Sequence, residues 1–321
     1  MASGQYSYTA QAILFDPISL GANRLCILSD QASPNMASWL LKTYEENKIN
    51  GVSIELIITS SLERGILQTN HSAFIELHRA FRKGKPNNFV CSYYHGAPIS
   101  KKNLYIWTDG ETPVTAFSCS YDFTQASLLK GVGDPISEMS ASAAYKTYEA
   151  AVDGSTYCVN SEVEDYVPIV ASPLPTAADL TADDPNYICL SLVVEKTKEP
   201  GKKSGLNWGQ RKKRNPNEAY IPLPRKIARS GFFPLEKQHF LVVTDDHHTL
   251  LLRVEQQGDK AITTPASNAQ LGEYFRNRLG LANGAYVHTK DLDAYGRRDV
   301  SFYKIDDEQY YMDFSVSKGK K

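Results

Sequence analysis

The segment SGLNWGQRKKRNPNEAYIPLP, residues 204–224, gathers three kinds of side chain. Gly205, Gly209 and Pro216 set turns, Arg211, Lys212, Lys213 and Arg214 supply cations, and Asn207, Gln210 and Asn217 carry amides. Amides and guanidinium groups pair bidentately with adenine and guanine edges, whereas lysines neutralise phosphate without reading sequence. A loop that holds both kinds has the chemistry to grip a nucleic acid and to interrogate it. Trp208 among small residues, and the apolar YIPLP that follows, predict an anchored loop rather than a loose basic insert. Lys202 and Lys203 before it and Lys260 beyond it extend the cationic set. Between residues 195 and 229 eleven basic side chains face three acidic ones, a local charge of +8 in a chain of net charge −1, so the remainder carries −9. Such an asymmetry suits a polyanionic partner, although charge alone also fits a solvated loop.

Other reactive residue types are dispersed. His71 and His78 stand seven apart in one helical pattern, a packing arrangement, and His95 lies in a loop containing glycine and proline. His247 and His248 follow Asp245 and Asp246 in a predicted turn, where adjacent side chains point apart, so no metal site is expected. The five cysteines (Cys26, Cys91, Cys119, Cys158, Cys189) form no CxxC pair and are odd in number. Neither a disulfide framework nor a zinc site is indicated, and they are expected to pack as small hydrophobes. The sequence calls for no cofactor.

These groups need elements to hold them. In the first half, short apolar runs at residues 24–29, 54–59, 89–93, 104–107 and 114–119 predict strands. Stripes at Met36, Leu40, Leu41 and Tyr44, and at Phe74, Leu77, His78 and Phe81, predict amphipathic helices between the earlier ones. The character is α/β. Residues 168–185 turn rich in Pro, Ala, Thr and Asp, which predicts a first domain over residues 1–170, a linker over 171–185 and a second domain over 186–321. The second domain reads as mostly β, with strands at 187–195, 239–244, 249–255, 300–305 and 309–315. One strong helix pattern, 268–279, interrupts them, with Ser267 or Asn268 as N-cap and Gly280 as its stop. Arg276 and Arg278 lie off its apolar stripe, which leaves them either solvated or facing DNA. Length and composition, 321 residues with 42% hydrophobic and 22% charged, fit a globular two-domain chain. No run of about 18 apolar residues and no signal-like start is present, so a cytoplasmic location without membrane contact is expected.

Between about Tyr187 and Ser315 the segments GLNWGQR, NEAYIPLP, FFP, TDD, KAI, LGEYFRNRLGL, YGR and YYMDFS occur in this order. Together they resemble the C-terminal domain of the NgoFVII family of restriction endonucleases. The resemblance implies a B3-like pseudobarrel that recognises a short double-stranded DNA sequence with two arms. The first arm would carry the 207–217 loop; the second would lie near residues 245–267. In that family the N-terminal domain resembles phospholipase D, and IELIITSSLERGILQTNHSAFIELH (54–78) and NLYIWTDGETPVTAFSCSYDFTQASLL (103–129) resemble its frame. Its motif is His-x-Lys on a strand followed by a Gly-Ser-x-Asn turn. Two copies meet in a homodimer, a histidine forms a phosphohistidine, a second histidine protonates the leaving oxygen, and no metal is needed.

This chain departs from that motif. One alignment sets Lys101 where the histidine belongs and Asn103 where the lysine belongs; one inserted residue sets Ser100 and Lys102 there instead. In the turn, Ser120 is retained, Cys119 replaces the glycine and Asp122 replaces the asparagine. A carboxylate repels a phosphodiester instead of donating to it. His95, five residues before Ser100, is the candidate replacement nucleophile. Two readings remain. In one, the chain is a metal-independent restriction endonuclease that hydrolyses phosphodiesters as a homodimer. In the other, it is a catalytically inactive DNA-specificity or scaffold subunit. The resemblance also implies a companion methyltransferase and, in some members, a helicase-like partner.

Overall fold

A computed structural model describes residues 7–82, 84–99, 102–130, 135–176, 181 and 183–316. The chain divides into two compact units between Ser172 and Pro173. Part of the expected linker, residues 177–180 and 182, lies outside the described residues, as do Ser100 and Lys101.

The first unit contains strands β1 (Arg24–Ser29), β2 (Ser53–Ile58), β3 (Ile66–Leu67), β4 (Asn88–Tyr94), β5 (Asn103–Asp109), β6 (Thr112–Cys119), β7 (Ser137–Met139), β8 (Ser155–Tyr157) and β9 (Ile169–Val170). Seven of them form a mixed sheet in the order β7-β6-β5-β1-β2-β4-β8, while β3 pairs with β9. At its centre β1, β2 and β4 run parallel, and β5 is antiparallel to β1. Successive side chains alternate across the sheet. Cys26, Leu28, Ile106 and Ala116 therefore pack with Ala144, Tyr148 and Ala151 of the helix Ala141–Asp153 on one face. Trp107, of opposite parity to Ile106, donates from its indole N–H to the Ile13 carbonyl at 2.7 Å in the helix Tyr8–Leu14. The helices Pro34–Glu46 and Gln68–Ala80 bury the expected apolar stripes, including Met36, Leu40, Tyr44, Phe74 and Leu77.

The sheet brings the ends of β1, β2, β4 and β6, and the start of β5, to one edge, because β5 runs against its neighbours. That edge is where Asn103 meets Cys119 in register.

The second unit contains β10 (Tyr187–Ser191), β11 (Ile221–Pro222), β12 (His239–Thr244), β13 (Thr249–Glu255), β14 (Ala261–Thr263), β15 (Asp299–Lys304) and β16 (Gln309–Asp313). They run in the order β10-β15-β16-β12-β13-β14-β11, and β10 approaches β11 so that the sheet nearly closes into a barrel. Only the β12–β16 pairing is parallel among the ladders of this sheet. The helix Asn268–Arg278 starts at Ser267, whose hydroxyl accepts from the Ala269 N–H, and Gly280 at φ +68° provides the left-handed stop.

Phe233 is 1% exposed and packs against Phe232, Phe240, Phe302 and Tyr310 at ring separations of 4.9–5.2 Å. Phe233→Ala should therefore destabilise the second unit by about 3–5 kcal/mol, the usual cost of emptying such a site. Chemical denaturation of the full chain checks this, and a loss below about 1 kcal/mol would contradict the packing argument.

Candidate functional site

The 205–217 loop precedes β11 and packs against the helix Asn268–Arg278 and the 284–287 segment. Its amides turn inward. Asn207 is wholly buried, donates to the Val287 carbonyl at 2.9 Å and accepts from the Val287 N–H at 2.8 Å, so one side chain imitates a strand partner. Asn217 donates to Glu273 Oε1 at 3.1 Å and accepts from the Gly284 N–H at 2.5 Å. Gln210 donates to the Gly284 carbonyl at 3.0 Å and to the Pro216 carbonyl at 3.3 Å. Gly209 is needed because a Cβ there would stand 2.2 Å from the Asn215 carbonyl oxygen.

The cations divide into two groups. Arg214 lies over the Trp208 ring at 4.0 Å and pairs with Glu218, so it fastens the loop. Arg211, Lys212 and Lys213 are exposed, as are Lys202 and Lys203. Arg211 Nε donates to the Lys203 carbonyl at 2.9 Å, which joins the two basic clusters. Lys213 adopts φ +65°, a conformation costing a non-glycine residue roughly 1–2 kcal/mol. Lys260 is exposed at the end of the turn joining β13 to β14, where its carbonyl accepts from the Leu223 N–H at 2.8 Å. The sequence left Arg276 and Arg278 solvated or facing DNA, and the structure gives neither place. Arg276 is 0% exposed and bonds to backbone carbonyls. Arg278 pairs with Asp245 at 2.7 Å and Asp246 at 3.1 Å, and donates to the hydroxyls of Tyr274 and Tyr295.

In the first unit, the motif positions sit at the sheet edge described above. Asn103, 3% exposed, accepts from the Asp30 N–H at 2.7 Å and donates to Asp122 Oδ1 at 3.1 Å. Asp122 also accepts from the Gln31 N–H at 3.2 Å, so these two side chains stitch the end of β1 to the start of β5 and the end of β6. Asp30 faces Arg64 at 3.2 Å. Ser120 and Lys102 are exposed beside this knot. Two carboxylates thus lie at this edge, Asp122 bonded to Asn103 and Gln31, and Asp30 facing Arg64.

The unit's three histidines are engaged elsewhere. His71 meets the Tyr93 hydroxyl at 3.0 Å, and His78 lies 3.7 Å from the Cys158 thiol. His95 pairs with Thr156 Oγ1 at 3.0 Å and stacks on Tyr166 with centroids 4.7 Å apart. Because β4 is three strands from β5, His95 stands about 14 Å from Asn103 at the usual strand spacing. The structure does not bring His95 to Ser120 or Asp122. Asp30 and Arg64 are residues of this edge that the sequence did not point to; the strand pairing that brings them beside Asn103 was the missing signal.

Residues 8–165 match the family model of the NgoFVII restriction endonuclease N-terminal PLD domain, and residues 181–306 match that of the NgoFVII C-terminal B3-like DNA-binding domain. No curated protein matches the chain.

The Asp122 carboxyl is held above its ordinary pKa, chiefly by burial and also by the charge of Asp30, while the Gln31 N–H, the Asn103 amide and Arg64 pull the other way. A carboxyl raised on folding stabilises the native state when protonated, and that contribution is lost as pH rises through its folded pKa. Asp122→Asn keeps an acceptor for Gln31 and Asn103 without the charge. It should raise the melting temperature at neutral pH, with the gain fading below about pH 4. A gain that is the same at both pH values would show that the charge is not what costs stability.

Proposed function

We propose that this chain, which belongs to the NgoFVII family of restriction endonucleases, recognises a short double-stranded DNA sequence with its B3-like domain and leaves cleavage to a partner. The observation that carries the recognition half is the division of labour in the 205–217 loop. Asn207, Gln210 and Asn217 spend their amides on shape. Arg211, Lys212 and Lys213, with Lys202, Lys203 and Lys260, stay exposed to solvent. A guanidinium such as that of Arg211 suits a guanine edge, and the lysines suit phosphates. The 256–260 turn with Lys260 serves as the second arm.

The non-cleaving half rests on the imidazoles. A phosphohistidine route needs a histidine within hydrogen-bond reach of the phosphate. Among the described residues none lies beside Ser120, and the Asp122 carboxylate opposes an anion there. The nuclease-like domain then serves as a dimerisation or recruitment platform in the cytoplasm. A methyltransferase or helicase-like subunit would be its companion. The second reading, metal-independent hydrolysis by a homodimer with His95, is favoured by the family match over residues 8–165.

One experiment separates them. The purified chain, incubated with plasmid DNA in EDTA, should shift a specific duplex selected from a randomised library and leave the plasmid uncut. Cutting that disappears in His95→Ala would establish hydrolysis instead. On the selected duplex, Arg211→Ala should cost about 1–3 kcal/mol while changing random-sequence binding little. Lys212→Ala and Lys202→Ala should weaken both duplexes alike and flatten the salt dependence. Equal losses for Arg211→Ala on both duplexes would reassign it to phosphate.

A further inference from the structure

We propose that Arg276 is the positioning residue for DNA recognition, its buried guanidinium clamping both ends of the 206–217 loop so that Arg211, Lys212 and Lys213 are presented in one geometry. This rests on the reading of that loop as the DNA-contacting element.

The geometry is complete. Nε donates to the Ala285 carbonyl at 2.8 Å. One terminal nitrogen donates to Gly272 at 3.1 Å and Asn217 at 3.4 Å; the other donates to Leu206 at 3.1 Å and Pro216 at 3.2 Å. A guanidinium has five N–H donors, and each has a carbonyl here. Leu206 is where the loop enters, and Pro216 and Asn217 are where it leaves, so one planar group ties both ends together. It also ties them to the residue Ala285, beside the Gly284 that receives Asn217 and Gln210.

Burying a cation is costly, and a packed apolar side chain of similar volume is often as stable or more so. Burial accordingly lowers the pKa of Arg276, although an arginine remains charged. What an apolar replacement would lose is the simultaneous orientation of five carbonyls. Lysine, with three donors on a flexible stem, does not reproduce a planar fork. The contact between loop and helix is independently constrained one turn earlier. A Cβ on Gly272 would stand 1.7 Å from the Asn217 carbonyl oxygen, so this glycine lets the helix touch the loop's exit. The loop held in this way includes Lys213 at φ +65°, a conformation that persists only where its surroundings enforce it.

The test uses the full chain and two duplexes, the one selected from the randomised library and a scrambled duplex of equal length. Their affinity ratio is measured by fluorescence anisotropy for Arg276→Lys, Arg276→Met and Gly272→Ala, below each variant's melting transition. The ratio should fall about tenfold or more, since each loosens the loop's base-reading geometry more than its charge. Backbone amides of residues 206–217 should exchange hydrogen faster in the same variants. Phe233→Ala, which weakens the barrel core elsewhere, should leave the ratio within about twofold when folded. Should Arg276→Met fail to fold, Arg276→Lys and Gly272→Ala decide. Variants that stay folded and discriminate as well as the unaltered chain would overturn the clamp. An unaltered chain that binds both duplexes equally would overturn the DNA-contacting reading, and unchanged hydrogen exchange in the variants would then overturn the clamp as well.

Discussion

An irregular segment buried against a barrel has to satisfy its own backbone, and that requirement organises the second unit. The 205–217 loop has no strand ladder for most of its length. Its Leu206, Pro216 and Asn217 carbonyls accept from Arg276 and its Gly209 N–H donates to the Glu218 carbonyl, while its own side chains Asn207 and Asn217 in turn satisfy the backbone of Val287 and Gly284. Residue types that read base edges in other settings are here turned toward the protein. Arg211, Lys212 and Lys213 are left exposed, and a loop already fixed by its interior contacts loses little conformational freedom when a ligand arrives.

The first unit shows how a scaffold and its chemistry separate. Parallel β1, β2 and β4 with antiparallel β5 bring Asn103 and Asp122, which the sequence set against the family motif, to one end of the sheet. There Asp122 accepts from Gln31 and Asn103, so the residue that would repel a phosphate also knits three chain segments together. Asp122 is therefore coherent with the local hydrogen bonding, and its buried charge makes these surroundings a poor fit for an anion. His71, His78 and His95 show the same coherence, since each ring has a partner on the β4 and β8 side of the sheet.

Long, strongly patterned elements were legible in the sequence. β1, β12 and β13 occupy the runs at 24–29, 239–244 and 249–255, and the helix Asn268–Arg278 follows its apolar stripe. Strands of two or three residues, such as β7, β8, β11 and β14, offer too little alternation to be seen. The helix Ala141–Asp153 buries only Ala144, Tyr148 and Ala151, a stripe with little contrast. Arg276 escaped for a different reason. Helical spacing turns it away from Leu271, Tyr274 and Phe275, and the face it occupies is covered by residues some sixty to seventy positions earlier. Likewise, composition identified Asn207 and Asn217 as hydrogen-bonding groups, but only the placement of residues 284–287 reveals which way they face.

β16 lies between β15 and β12, and without it the sheet falls into two separate pieces, β10-β15 and β12-β13-β14-β11. During synthesis the barrel therefore stays open, with two unpaired strand borders, until residues 309–313 have emerged from the ribosome. The sheet of the first unit already has all its strands by Tyr157. A nascent polypeptide stalled between Ser172 and residue 309 would carry a finished amino-terminal body and a sticky, half-built nucleic-acid reader, the species on which chaperones and proteases would act.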